Sequence, residues 1–321
     1  MKQPLTDISI AGIKLKVNAL EIETTWMSLT DTGTVTIPAN YLLDNKRISE
    51  QLKTGDKVVV NLGYLNNQTN IFNGYVSAVA GRRPIVIEIQ DEMWQLKQQP
   101  LNISGNSTLK EFFATHFKGI KVNSYDFDLG RYHFADITRA QVLEKIKTDY
   151  GFRSFFRNGT LVVGIQYDAN TAKKHVFALP GDPQQNVISD NLIYRTKDQF
   201  LLKVKAISNN DDGTRLVHEF GDPDGETRTL NYYNLNIKQL KELAQIDYER
   251  LSYDGFSGDF TAWGEPIVQQ GDIVTLKHFQ NTDRTGDYWV DKVIYQSGVQ
   301  GIRQQITIGS RVSAAELQTA A

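Results

Sequence analysis

The stretch Leu52-Lys53-Thr54-Gly55-Asp56-Lys57-Val58-Val59-Val60 decides the fold, because the chain writes it twice. The second version is Val268-Gln269-Gln270-Gly271-Asp272-Ile273-Val274-Thr275-Leu276. In both, a Gly-Asp turn feeds a β-branched strand. In both, two further strand-like segments follow. After the first version they are Asn73 to Val79 and Ile85 to Ile89; after the second, Asp287 to Val293 and Gln304 to Ile308. One supersecondary unit used twice predicts two similar β-domains in one chain.

The surrounding sequence supports this reading. Ile8-Ser9-Ile10 and Lys14 to Val17 alternate around Ala11-Gly12-Ile13, which predicts a hairpin. Leu20 to Thr24, Thr34 to Ile37, Val58 to Tyr64, Ile71 to Val79 and Ile85 to Gln90 follow as short strands separated by turn residues. That spacing predicts a barrel or sandwich. The period then lengthens. Leu109, Phe112, Phe113 and Phe117 form a helical stripe behind Ser107 or Thr108 as cap. Val142, Leu143, Ile146 and Tyr150 form another, capped by Thr138 and stopped by Gly151. Asn158-Gly159 predicts a hairpin between Phe152 to Phe156 and Thr160 to Ile165. Strand patterns return from Val187: Asn191 to Tyr194, Phe200 to Ile207, Thr214 to Phe220 and Glu226 to Tyr233. An amphipathic helix over Leu235 to Leu251 interrupts them, with Ile237, Leu240, Leu243, Ala244 and Leu251 on one face and Asp247 as its polar exception.

The expected fold class is therefore α+β, mainly β. Residues 1–103 form a first β-barrel and 104–175 a small helix-and-hairpin α/β module. Residues 176–312 form a second β-barrel with a helix inserted at about 235–251, and 313–321 are a tail. The chain of 321 residues suffices for about two domains. Its 40% hydrophobic and 22% charged residues can bury real cores. A net charge of -2 gives no global field for nucleic acid or an anionic membrane. There is no cysteine, which removes disulfides, thiolate nucleophiles and cysteine-held metals. No run approaches the roughly 18 apolar residues of a membrane span. The N-terminus lacks the apolar stretch of a secretion signal.

Catalytic signatures are missing. His116, His133, His175, His218 and His278 stand in no metal-ligand spacing, and no nucleophile elbow or phosphate-binding loop occurs. Two acidic clusters are candidates for the carboxylate pair of a glycosidase. These are Asp211-Asp212 with Glu219, and Asp254 with Asp259 and Glu265. Asp211-Asp212-Gly213 also reads as a hairpin turn, and Asp254 and Asp259 flank loop glycines. Trp26, Trp94, Trp263 and Trp289 could line a sugar groove or fill cores. The expectation is no catalytic, cofactor-binding or metal residue.

The order of segments resembles a known family. Thr138-Arg139-Ala140-Gln141-Val142-Leu143-Glu144-Lys145-Ile146, running on through Tyr150-Gly151-Phe152 to Asn158-Gly159-Thr160-Leu161-Val162-Val163-Gly164, looks like the mid-region of phage baseplate hub proteins. So does Ala244 through Phe256-Ser257-Gly258 to Trp263-Gly264-Glu265-Pro266-Ile267-Val268-Gln269-Gln270-Gly271-Asp272. The family comprises the late control protein D type and the hub part of the VgrG proteins of type VI secretion. The resemblance implies a homotrimer whose two barrels per chain make a pseudo-hexameric ring between the hexameric tail tube and a trimeric spike. It implies partners: the tail tube protein, a spike that is a separate protein, other baseplate proteins and the tape measure protein. It implies no specific nucleic-acid sequence and no membrane anchor. The place would be a virion tail baseplate or injection particle, assembled in the bacterial cytoplasm. The alternatives are a tail-associated cell-wall or polysaccharide hydrolase using the acidic loops, or a carbohydrate-binding β-protein using the tryptophans.

Overall fold

The computed structural model describes residues 3–312, apart from 39, 41, 44, 45, 66, 81–83, 126, 198–200 and 211. The expected tail at 313–321 lies outside the described residues. The largest sheet has fourteen strands. Seven come from the first part of the chain: β1 (Pro4–Ile10), β2 (Ile13–Leu15), β3 (Ala19–Thr25), β4 (Thr32–Ile37), β5 (Lys57–Tyr64), β6 (Asn67–Ala80) and β7 (Ile85–Asp91). Seven come from the second: β8 (Lys174–Ala178), β9 (Val187–Asp190), β10 (Ile193–Arg195), β11 (Gly255–Trp263), β12 (Ile273–Lys277), β13 (Gly286–Gly298) and β14 (Gly301–Arg311). The order across the sheet is β9-β11-β14-β13-β3-β4-β7-β6-β5-β1-β2, with β10 also on β11 and with β8 paired to β12, which pairs β13. Two related β-units thus meet where β13 pairs β3, and their apolar faces join in one core.

The two units match bond for bond at the quoted turns. The Gly55 N–H donates to the Val76 carbonyl (2.8 Å) and Val76 N–H returns the bond to Asp56 (2.9 Å). Gly271 donates to Val290 (2.8 Å) and Val290 returns to Asp272 (2.9 Å). Both glycines have positive φ, 91° and 80°, which favours glycine over residues with a Cβ. Each following strand pairs a long neighbour that carries a bulge, between Val76 and Ala78 in β6 and between Val290 and Lys292 in β13. A bulge changes which edge contacts a strand can make beyond it. The correspondence then runs outward. Ile87 of β7 lies between Val79 and Val35 as Ile306 of β14 lies between Val293 and Phe260. Gly33 and Gly258 occupy the same site, opposite Ile89 and Ile308. One difference breaks the symmetry: β1 runs antiparallel to β5, whereas β8 runs parallel to β12.

Between and beyond these units sit two smaller cores. Helices Leu109–His116 and Arg139–Tyr150 cover a core of Phe112, Phe113, Leu143 and Ile146. Both begin with capping boxes, Thr108 with Glu111 and Thr138 with Gln141, and Gly151 closes the second in the left-handed region. The Asn158-Gly159 hairpin forms as expected. Strands Pro100–Thr108 and Asp128–Thr138, which the sequence reading did not contain, pair in front of the helices. Ser104, Gly105 and Asn106 in a row are exposed, so both faces of the strand meet water there and the apolar alternation that marks a strand is weak. The helix Ile237–Leu251 brings a sheet of its own, Leu202–Asn209 between Arg215–Gly221 and Glu226–Tyr233. Leu240 and Ala244 are buried against it, but Ile237, in the first turn, is exposed. Asp247 sits on the sheet side because the Tyr232 hydroxyl donates to it.

The turn aspartates differ in what they hold. Asp56 is half-buried and accepts from Lys53 N (2.7 Å). Asp272 is buried and accepts the matching bond from Gln269 N (2.9 Å), but also Lys173 N (3.1 Å), and faces His175 (3.0 Å) and Arg157 (3.6 Å). A second polar group is buried at the end of β7. Burial pushes the Asp91 carboxyl up to about 8, although Met93 N donates to it. Asp31 nearby is raised as well, by burial and then by the charge of Asp91.

Two outcomes follow. In urea unfolding, Asp56→Ala should cost about 1 kcal/mol, one exposed turn bond. Asp272→Ala should cost about 3–5 kcal/mol, because it removes the acceptor of two backbone amides and the charge facing His175 and the half-buried Arg157 guanidinium. Equal losses would refute the difference. For Asp91 the folded-state value lies above the unfolded value of 3.8. The folded chain therefore holds a proton that the unfolded chain has released. Stability from this group is full below about pH 4 and declines towards pH 8, by up to ~1.4 kcal/mol per pH unit. Asp91→Asn keeps the acceptor for Met93 N and should flatten thermal unfolding between pH 5 and 8. An unchanged pH profile would contradict it.

Candidate assembly interface

The feature with most consequence is the joint where β13 meets β3. Six pairs of residues face each other antiparallel, from Lys292 opposite Thr25 to Ser297 opposite Leu20. On the core side Val293, Tyr295, Leu20 and Ile22 are all buried. Each such side chain stabilises the joint by roughly 1.5–3 kcal/mol through apolar burial. The Tyr295 hydroxyl reaches the Val268 carbonyl (2.6 Å), so a phenol is buried without losing its partner. Burial pushes that hydroxyl far above its ordinary range.

On the solvent side the joint is polar. Gln296 donates to Glu21 (2.9 Å) and Lys292 stands 3.7 Å from Glu23. At one end Thr6 and Ser297 share a hydroxyl bond (2.6 Å). At the other, Thr25 donates to the Asp291 carbonyl (3.1 Å), and Trp26 donates through its indole to the Asp291 carboxylate (3.0 Å). The Tyr167 hydroxyl donates to the same oxygen and its ring stacks on Trp289 at 4.7 Å. Burial raises the Asp291 carboxyl, and the two donated bonds pull it back. Asp291 therefore ties the first unit, the last part of the segment 104–175 and the second unit to one point.

The described acidic candidates are held by separate partners. Asp211 lies outside the described residues. Asp212 accepts from Thr214 in its turn, which lowers its carboxyl. Glu219 pairs with Lys205 on a neighbouring strand (3.6 Å). Asp254 accepts from Lys197 N (2.6 Å), and Asp259 from Gln305 (2.8 Å) and Asn191 (3.3 Å). Glu265 lines a separate recess with His175 and Lys173. Among the described residues no group of three or more His, Asp or Glu is placed to hold a metal. Trp289 and Trp26 are core residues, and Trp94 stacks on Tyr75 beneath Gly55. Trp263 is half exposed, with Arg303 over its ring at 3.8 Å. The joint itself was missing from the sequence reading. Its signal was the length of β13, which continues past its bulge with alternating apolar residues.

Solved structures with this arrangement exist. The tail protein from Neisseria meningitidis MC58 is 15% identical, with a TM-score of 0.66 over 99% of each chain. The 43 kDa tail protein of prophage MuSo2 from Shewanella oneidensis is 15% identical, with a TM-score of 0.61 over 95% of this chain and 97% of that one. An Escherichia coli component of the type VI secretion system, itself described as similar to bacteriophage T4 tail proteins, is 8% identical, with a TM-score of 0.55 over 96% of this chain and 77% of that one. No family model and no curated protein matches the sequence. The likeness covers both β-units and everything between them. The chain has the fold of these tail and secretion-system proteins.

Proposed function

We propose that this chain is a structural hub of a phage tail or related contractile injection system. Three copies form a closed ring of six similar β-units, which joins a six-fold tail tube to a three-fold spike. The observation that carries this reading is the duplication. Two units with the same turn bonds, the same bulge and matching registers of β6 with β7 and of β13 with β14 lie side by side in one sheet. A chain that presents two similar faces converts three-fold symmetry into near six-fold symmetry with heterologous contacts. The tail proteins with the same fold support the setting. The partners are a second and third copy, the tail tube protein, a separate spike protein, other baseplate proteins and the tape measure protein. The place is the tail baseplate of a particle assembled in the bacterial cytoplasm.

The role is mechanical, without a catalytic step. The face of the shared sheet opposite the core is of mixed charge: Glu21, Glu23, Glu88 and Asp259 alternate with threonines and with Lys57, Lys292 and Arg303. As the wall of the ring's channel, such a surface would give polyanionic cargo no net attraction. No specific nucleic-acid sequence is read, and no membrane anchor is required.

Mass measurement and electron micrographs of the purified chain, alone and with its tube and spike, should give rings of three copies. A hub position filled by six copies, or by none, would overturn the reading. Asp254→Asn, Asp259→Asn and Glu265→Gln, made singly, should leave particle assembly within about two-fold of normal. Peptidoglycan or glycan cleavage by the purified chain, abolished by one of these changes, would favour a tail-borne hydrolase instead.

A further inference from the structure

The duplication also says where one copy meets the next, and this inference rests on the ring reading above. The joint has two halves. One is the part of β13 beyond its bulge; the other is β3. Each half has a counterpart elsewhere in the chain. The counterpart of the β13 half is Ala78–Ala80 of β6. Ala78 faces Glu88 and Val79 faces Ile87, as Lys292 faces Thr307 and Val293 faces Ile306. The counterpart of β3 is the pair β9 and β10. Leu20 faces Val35 as Asp190 faces Phe260, and Glu23 faces Thr32 as Ile193 faces Ser257.

Among the described residues one of the two possible joints is made within the chain. On its first half β6 pairs β5, up to Tyr75. Beyond the bulge that same edge takes no strand among the described residues. In β13 the corresponding edge passes from β12 to β3. Likewise β9 and β10 pair β11 on one side and, among the described residues, no strand on the other. Burial records the difference. Val293 is 0% exposed in the filled joint, whereas Val79 is only half-buried. Leu20, Ile22 and Thr24 are buried, whereas Asp190 is exposed and Leu192 and Tyr194 are half-buried. Ile193, whose counterpart Glu23 packs beside β13, is 54% exposed. An unfilled strand edge beside an exposed isoleucine is a pairing surface unless something covers it.

We propose that the occupant is a second copy of this chain: the half of its β6 beyond the bulge adds antiparallel to β10, with Ala78 opposite Arg195, Val79 opposite Tyr194 and Ala80 opposite Ile193. This register is the one by which Lys292, Val293 and Ile294 meet Thr25, Thr24 and Glu23 inside each chain. Each copy owns one donor half and one acceptor half, in different units. The contact is therefore heterologous and repeats around a ring. Intrachain and interchain joints then alternate, and the sheet runs through every copy without an open edge at these strands.

The absence of native cysteine makes the register directly readable by cross-linking. Two double variants of the full chain, Ala80→Cys with Ile193→Cys and Val79→Cys with Tyr194→Cys, place cysteines on consecutive facing pairs. One of them falls on the closely spaced type, within disulfide range. Mild oxidation of the assembled protein should give a reducible covalent trimer for at least one pair. Ala80→Cys with Tyr194→Cys, slipped by one residue and so on opposite faces, should give at least about five-fold less. As a check independent of cysteine, Ile193→Lys changes a side chain that is exposed in the single chain. It should leave the melting temperature of the isolated chain unchanged and weaken association at least about ten-fold. Rings of three copies in which neither facing pair cross-links, or in which the slipped pair cross-links as well, would refute this joint and leave the ring standing. A chain that remains single in solution and in the assembled particle would refute both.

Discussion

The large sheet and its shared core depend on the pairing of β13 with β3. Among the described residues it is where the path of the large sheet passes from the second unit to the first. The strand β13 is able to do this because it bends. Before its bulge one edge serves β12; beyond it the same edge serves β3. Without the extra residue of the bulge the strand would continue along β12, and the two units would keep separate edges. The constraint is therefore geometric first. Burial of Val293, Tyr295, Leu20 and Ile22 then stabilises the geometry.

The polar groups around the joint are arranged so that this burial leaves few unsatisfied atoms. Tyr295, Asp291 and Trp26 each bury a polar atom, and each has a partner within hydrogen-bond distance. A buried donor without a partner costs about as much as a lost apolar side chain, so these bonds are needed for the apolar contacts to count. Asp272 plays the same part on the other side of the second unit, where it gathers two backbone amides, a histidine and an arginine. The equivalent Asp56 has no such load, and the first unit closes its turn under Trp94 instead. Two copies of one plan have thus been stabilised by different side chains, a polar network in one and an aromatic stack in the other.

Much of the plan was legible in the chain. The Gly-Asp turns were visible because positive φ requires glycine and because aspartate closes the turn behind it. Thr138, Gly151 and Asn158-Gly159 were visible for the same kind of reason: a helix start, a helix stop and a tight hairpin each demand particular residue types. The strands Pro100–Thr108 and Asp128–Thr138 were not visible, since a half-solvated pair rich in Ser, Asn and Gly carries little alternation. The separate sheet under the helix Ile237–Leu251 was not visible either. Its strands have ordinary β patterns, and pattern alone does not say which strands pair. Among the acidic residues, composition raised the prospect of a carboxylate pair; in the structure Glu219 pairs with Lys205 on a neighbouring strand and Asp259 accepts from Gln305, contacts that composition did not reveal.

The sequence by itself determined the local rules: which residues turn, which cap, which face of each strand is apolar, and that one unit occurs twice. These are short-range properties, decided by φ, by side-chain hydrogen bonds to nearby backbone and by a period of two. The tertiary structure alone decided that the two units share one sheet and one core, and that one joint is filled while its counterpart is open. Strand pairing joins residues far apart in the chain through backbone groups that every residue carries alike. Its choice of partner therefore emerges only when the whole sheet is assembled.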